Sequence, residues 1–125
     1  MTLIRLLAAA ALFALAGLVH ALEMKPYTAE TLAAAQQAGR PVAVFFHADW
    51  CPTCRQQDKV LSSLKSEGLD VVVLVADYDK EKDLRKRLNV RAQSTIVVFR
   101  GPVEKARLAG DTSPEGIRNA LNAVL

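Results

Sequence analysis

Cysteine is scarce in this 125-residue chain, which contains only two, so a small domain held together by several disulfides is excluded. Neither sign of charge dominates, because the chain contains 16 Lys and Arg and 13 Asp and Glu. This basic excess is small and is interpreted as unclustered, which argues against a nucleic-acid partner, since such proteins concentrate Lys and Arg on one face. Hydrophobic residues make up 51% of the chain, too many for a disordered protein. We therefore expect one folded domain.

Long hydrophobic runs are also absent, apart from one near the N-terminus. Leu6 to Val19 is an apolar run preceded by Arg5, and it is shorter than the roughly 20 residues that cross a bilayer. Its length fits the hydrophobic region of a signal peptide. The small residues Val19 and Ala21 suit signal peptidase, so we predict a signal peptide over residues 1–21 and a mature domain over 22–125. The predicted location is the periplasm or another exported compartment, and an uncleaved membrane anchor is the alternative.

The remainder of the chain alternates between helix and strand signals, without repeats or an internal linker. Capping residues such as Thr28 and Ser113 mark helix starts, and short continuous apolar runs indicate strands buried on both faces. The predicted helices are 28–38, 52–67, 80–88 and 114–124, and the predicted strands are 42–47, 71–76, 95–99 and a shorter, polar edge strand 104–109. This order predicts an α/β fold with a mixed sheet of about four strands and helices on both faces. The turn at Gly101 predicts an antiparallel pair at one end.

The chemistry of the chain is expected at Cys51 and Cys54, which are separated by two residues between a strand and a helix. This spacing places Cys51 at the helix N-terminus, where free backbone N–H groups and the helix dipole favour a thiolate. Cys54 lies one turn further into the helix and is expected to be more shielded. We interpret Cys51 as the nucleophile and Cys54 as the resolving thiol of a disulfide exchange.

Two other readings of the pair stay open. A structural disulfide is possible, although so short a loop removes little entropy from the unfolded chain. A zinc site needs three or four protein ligands, and His47 is the only further Cys or His of the mature chain. No metal site is therefore predicted within one chain. Redox exchange requires nothing beyond the two cysteines, and we favour it.

The segment from Ala48 to Cys54, following the apolar run 42–46, resembles the active site of the thioredoxin superfamily. The resemblance covers the whole mature chain and implies the thioredoxin fold. Lys59 stands where cytosolic thioredoxins carry a proline, so the chain is most similar to exported members, such as the C-terminal domain of the bacterial membrane disulfide reductase. The likeness implies that Trp50 forms part of a partner-docking surface, although an aromatic side chain that only fills space is as good a reading. Pro52 and Thr53 are expected to tune the redox potential.

One departure from the family concerns the proton acceptor. Thioredoxins bury an acid six positions before the first cysteine, and Phe45 occupies that position here. His47 titrates near neutrality and is a candidate replacement, although a histidine that only packs is the favoured reading. Strand alternation places it on the same face as Phe45. The opposite charges of Asp49 and Arg55 are expected to cancel in part at Cys51.

A second departure is Ser94, which stands before Thr95 where the family carries a cis-proline. A cis bond before a residue other than proline costs roughly 2.5 to 4 kcal/mol, so we expect a trans Gln93–Ser94 bond and a rearranged loop facing Cys51. In the family this loop pairs its backbone with the partner peptide. Serine also leaves room for a metal or iron–sulfur centre shared by two chains, which is a minor hypothesis.

The sequence thus predicts an exported thiol–disulfide oxidoreductase without a bound cofactor, acting on cysteines of exported proteins. Reductase is favoured over oxidase, with a membrane disulfide reductase as a possible electron donor. Nucleic acid is not an expected partner, and the membrane is one only if the signal segment stays uncleaved. A non-catalytic binding module that uses the same fold is the alternative, and a metal carrier is a third reading.

Overall fold

The computed structural model describes residues 21–125. The apolar run that predicts a signal peptide lies outside the described residues, and so does all of the predicted peptide except Ala21. No helix within residues 21–125 is long and apolar enough to cross a membrane.

A five-stranded mixed sheet forms the centre of the domain, with the strands in the order β1-β3-β2-β4-β5. Parallel pairs join β3 to both β1 and β2, whereas β4 pairs antiparallel with both β2 and β5. The strands are β1 (Glu23–Pro26), β2 (Pro41–His47), β3 (Val72–Asp77), β4 (Thr95–Arg100) and β5 (Val103–Ala109). The predicted α/β class and the antiparallel pair at the Gly101 turn are confirmed.

The expected number of about four strands is too low, because β1 was not predicted. This strand has four residues, and Glu23, Lys25 and Pro26 are exposed, so it lacks the apolar run that marks a buried strand. Its pairing with β3 is what makes it a strand. The edge strand β5 is polar as expected, but at seven residues it is not the shorter strand that we predicted.

Residues 21–125 contain four α-helices, three between strands and one after β5, and two of them start at the predicted caps. They are α1 (Ala29–Gln37), α2 (Pro52–Leu64), α3 (Lys82–Leu88) and α4 (Pro114–Asn122). Thr28 caps α1 by accepting from Thr31 N–H, and Ser113 caps α4 by accepting from Gly116 N–H. The predicted helix 52–67 is divided: α2 ends at Leu64, and a short 3₁₀ turn, Lys65–Glu67, leads to Gly68 at φ 71°.

The central strands β2, β3 and β4 are buried on both faces, as their continuous apolar runs predict. On one face α2 and α4 pack on a cluster that includes Phe45, Ile96 and both cysteines. On the other face Leu32 of α1 and Leu84 of α3 pack on alternate residues of the same strands, including Phe46. This layering fixes the end of β2 and the start of α2, where the cysteines lie.

Candidate active site

Cys51 and Cys54 form a disulfide at the start of α2, with their Cα atoms 5.2 Å apart. Cys51 is the N-cap of the helix, and its Sγ accepts a hydrogen bond from the Cys54 backbone N–H at 3.1 Å. Pro52 takes the first helical position, where a missing N–H costs the helix no hydrogen bond. A thiolate on Cys51 would therefore receive both a hydrogen bond and the positive end of the helix dipole.

Both sulfurs are shielded in this oxidised form, since Cys51 is 2% exposed and Cys54 is fully buried. Cys54 Sγ lies 3.9 Å from the carbonyl oxygen of Phe46 on β2. A reduced Cys54 thiol has this oxygen as an acceptor at hand. Thr53 lies between the cysteines and is half-buried.

Trp50 is an exposed side chain beside the disulfide, with 58% of its surface accessible. Its indole Nε1 donates a hydrogen bond to Asp79 Oδ2 at 2.8 Å, which attaches it to the segment that follows β3. An indole that only filled space would be buried. The exposed face of Trp50 is thus held in a fixed place next to Cys51.

The position of the family's buried acid holds Phe45, which is completely buried in the core. His47 lies on the same face, as predicted, and its ring meets that of Phe45 edge to face at 5.4 Å between centroids. Its Nδ1 lies 3.8 Å from Asp49 Oδ1, and the side chain is mostly buried. Arg55 donates to the Asp49 carbonyl oxygen at 2.8 Å instead of pairing with its carboxylate. His47 therefore packs against the core, and its role as a base stays a prediction.

The Ser94 loop, residues 92–94, adjoins the disulfide through the same carbonyl of Phe46. The Ser94 backbone N–H donates to Phe46 O at 2.9 Å, and Cys54 Sγ lies 3.9 Å from the same oxygen. The Gln93–Ser94 bond is trans, as expected, and Ser94 adopts a left-handed conformation at φ 60°. Thr95 is buried, and its hydroxyl donates to Ala92 O at 2.7 Å, which closes the loop.

Gln57 is a site residue that the sequence analysis missed. It is fully buried in α2, and its Nε2 donates to Ser94 O at 2.9 Å and to Asp111 O at 3.0 Å. Its position three residues after Cys54 and four before Leu61 puts it on the buried stripe of the helix. The sequence signal for this residue is a glutamine at a position of α2 where the helical spacing predicts an apolar, buried side chain.

The Asp111 loop is itself ordered by short-range contacts. Ser113 N–H donates to Asp111 Oδ1 at 2.8 Å, and the hydrogen bonds from Ser113 hold the pKa of that carboxyl below its usual value. The Asp111 carbonyl that accepts from Gln57 therefore belongs to a structured turn ahead of α4.

Basic residues are clustered after all, which corrects the expectation from composition. Residues 80–91, containing α3, carry six Lys and Arg against two acids, and the other residues carry ten against eleven. This basic segment adjoins the site: Tyr78 donates to Arg91 O at 3.1 Å, and the Arg85 guanidinium lies 4.0 Å from the centre of the Tyr78 ring. Its start follows Asp79, the partner of Trp50.

Metal ligands do not gather at this site. Across residues 21–125, no three His, Cys, Asp or Glu side chains form a group suited to a metal ion. Each chain brings two thiolates to the site, so the shared two-chain centre remains a hypothesis.

The chain is similar in sequence and in structure to known proteins. The thioredoxin family model matches residues 23–123. Thioredoxin H3 of Arabidopsis thaliana is 30% identical over 90 residues, which are 72% of this chain and 76% of that protein. The crystal structure of Trxlp from Edwardsiella tarda EIB202 is similar with a TM-score of 0.74 and 33% identity, covering 79% of this chain and 98% of that one. Thioredoxin O2 of Arabidopsis thaliana in its oxidised state gives a TM-score of 0.68 and 26% identity, covering 82% of this chain and 92% of that one.

Proposed function

This chain belongs to the thioredoxin family and is a thiol–disulfide oxidoreductase, and we propose that it is exported and reduces disulfides in other exported proteins. The observation that carries the chemistry is the place of Cys51 at the N-cap of α2, with its sulfur bonded to the Cys54 N–H. A backbone donor and a helix dipole at one sulfur favour the ionised form that attacks disulfides.

The proposed reaction moves two electrons from the dithiol to the partner. The Cys51 thiolate attacks one sulfur of the partner's disulfide, and the other sulfur leaves as a thiolate that takes up a proton. The Cys54 thiol loses its proton and attacks Cys51 Sγ, which breaks the mixed disulfide and releases the partner's second sulfur as a thiolate that takes up this proton. The Cys51–Cys54 disulfide is the product state. A donor dithiol must then reduce it again, and a membrane disulfide reductase is the donor that we propose.

Export is supported by the apolar run Leu6 to Val19 and by the small residues Val19, at its end, and Ala21, just after it. Cell fractionation and N-terminal sequencing of the isolated protein test this part. We expect a periplasmic protein that begins at Leu22. A protein that keeps residues 1–21 in the membrane fraction would instead be anchored, and a cytoplasmic protein would contradict export.

The direction of exchange is tested by equilibrating the dithiol with glutathione and measuring the fraction oxidised. For a reductase we expect a potential near that of thioredoxin, about −270 mV. A potential near about −120 mV, typical of a strong oxidant, would contradict the reductase assignment.

A non-catalytic binding module is a second candidate, favoured by Phe45 in place of the acid and by Ser94 in place of the proline. Separate Cys51→Ser and Cys54→Ala variants distinguish the two. An enzyme loses turnover in the first variant and accumulates mixed disulfides with its partners in the second. A binding module keeps its partner in both. A metal carrier would lose its metal in the Cys54→Ala variant without forming any protein adduct.

A further inference from the structure

Gln57 is an unexpected residue in the core of this domain. It is completely buried on the face of α2 that carries Cys54 and Leu61. Its Oε1 is buried and accepts no hydrogen bond from residues 21–125. An unsatisfied buried acceptor is destabilising, so an apolar side chain of similar size would serve the core at least as well. Stability alone therefore does not explain a glutamine at this position.

The two hydrogen bonds that Gln57 does make connect the dithiol helix to two distant loops. Nε2 donates to Ser94 O at 2.9 Å and to Asp111 O at 3.0 Å, across 37 and 54 residues of sequence. Ser94 O also accepts from Gly110 N–H at 3.0 Å. One amide group thus fixes the Ser94 loop against both α2 and the turn before α4.

The Ser94 loop needs such support because its backbone is strained. Ser94 is at φ 60°, a region that residues with a Cβ seldom occupy and keep only where the surroundings enforce it. Its N–H donates to Phe46 O and its carbonyl accepts from Gln57, so both of its backbone groups are used inside the fold. The neighbouring Ala92 is exposed and Gln93 is half-buried.

A partner has to reach Cys51 past the features beside it, which we call the rim. Cys51 is 2% exposed, the residue before it is the exposed Trp50, and the Ser94 loop meets the dithiol at Phe46 O, the oxygen that Cys54 Sγ approaches. A peptide substrate that crosses this rim can pair with loop backbone in the manner of an added strand. A small disulfide without a peptide backbone cannot. The position of the loop should therefore matter for peptides and not for small disulfides.

We propose that Gln57 is a positioning residue for docking of the partner peptide, which it serves by holding the Ser94 loop in place beside the dithiol. The proposal rests on the proposed function and adds to it the element that selects peptide disulfides over small ones. Gln57 acts through the loop and takes no part in the exchange itself.

The test compares the full chain with its Gln57→Met variant, which keeps the length of the side chain and removes the amide. Leu61→Met is the matched control, because it changes another buried residue on the same face of α2. Each reduced protein reacts with a peptide disulfide and with dithiobis(nitrobenzoic acid), and thermal unfolding is recorded. For Gln57→Met we expect KM for the peptide to rise about tenfold, the consequence of losing about one to two hydrogen bonds. The rate with the small disulfide should stay within about twofold of the wild-type rate, a change much smaller than the tenfold rise expected for the peptide.

The outcomes distinguish the positioning role of Gln57 from the proposed function as a disulfide reductase. If the wild-type chain reduces neither disulfide, the proposed function fails. If wild type reduces both, and Gln57→Met slows both equally or neither, the positioning role is overturned. A loss of peptide preference in Leu61→Met of the same size would also overturn it.

A Gln57→Glu variant keeps the test decisive if Gln57→Met does not fold. An ionised carboxylate cannot donate to either carbonyl, whereas a protonated carboxyl has one O–H and can donate to one of them. We expect the ratio of peptide rate to small-disulfide rate to be low at neutral pH and to recover as the pH falls. A ratio that does not change with pH would contradict the proposal.

Discussion

The indole of Trp50 is tied to Asp79 by a 2.8 Å hydrogen bond, so the one tryptophan of the chain is both exposed and fixed in orientation. Replacing Asp79 by Ala removes the acceptor and frees the ring, whereas Asp79→Asn retains an amide oxygen that accepts. We expect Asp79→Ala to lower the fluorescence anisotropy of Trp50 and to raise KM for a protein disulfide about threefold, in line with one lost hydrogen bond. Asp79→Asn should behave as wild type. If both variants are equally impaired, the charge of Asp79 is what matters.

The left-handed conformation of Ser94 leads to opposite expectations for glycine and proline. Glycine occupies positive φ without a steric penalty, so Ser94→Gly should leave the free energy of unfolding within about 1 kcal/mol of wild type or raise it. Proline fixes φ near −65° and has no N–H to donate to Phe46 O. Ser94→Pro should therefore lower the free energy of unfolding by at least about 2 kcal/mol. Urea denaturation of the two variants measures this. A Ser94→Pro variant that is more stable than wild type would contradict the loop geometry described above.

Much of this fold is predictable from local signals in the sequence. Buried runs identified β2, β3 and β4, and the caps Thr28 and Ser113 located two helix starts. These features are local because an apolar run or a capping side chain acts within a few residues of itself. The spacing of Cys51 and Cys54 likewise identifies the pair that forms the disulfide at the start of α2.

The features that were missed depend on distant parts of the chain. Strand β1 is polar and exposed, and only its register with β3 defines it. Gln57 donates to carbonyl groups 37 and 54 residues away along the chain. A local sequence pattern cannot show which distant groups lie beside it. The φ of Ser94 follows from the same contacts. Local propensity predicts elements, whereas the geometry between elements is set by the packing.

Acid should destabilise the domain through its ion pairs. Hydrogen bonds from Arg107 at 2.7 and 3.0 Å hold the pKa of Glu104 below its ordinary 4.5, and Arg118 does the same for Glu67. The folded state thus favours the carboxylate, so this contribution is present above the unfolded pKa and is lost as the pH falls through the folded pKa. We expect the free energy of unfolding to decline below about pH 4.5.

A double-mutant cycle with Glu104→Gln and Arg107→Gln tests this dependence for one pair. The coupling energy should be below about 1 kcal/mol at neutral pH, because the pair is largely exposed. It should decline as the pH falls through the folded-state pKa of Glu104, which Arg107 holds below 4.5, because the protonated carboxyl carries no charge. Arg107 also donates to the carbonyls of Leu88 and Asn89, and the cycle removes those contributions. Coupling that persists in acid would contradict the assignment.

The basic segment 80–91 predicts which partners react fastest. It holds six Lys and Arg against two acids and joins the site through Asp79 and Tyr78. Charge near a docking site steers oppositely charged partners and raises their association rate. A peptide disulfide flanked by acids should therefore be reduced faster than one flanked by lysines. The difference should shrink at high salt, since the Debye length falls from about 10 Å at 0.1 M to about 3 Å at 1 M.

Charge removal separates steering by this segment from the effect of net charge alone. Lys86→Gln with Arg87→Gln removes two charges from α3, and both side chains are exposed. Lys59→Gln with Lys65→Gln is the matched control, because it removes two exposed charges, one from α2 beyond the dithiol and one from the 3₁₀ turn that follows α2. We expect the first pair to lower the rate with the acidic peptide about threefold or more at low salt, within the range of electrostatic steering. The control pair should have little effect. Equal losses in both would show that net charge, and not the position of the basic segment, governs the encounter.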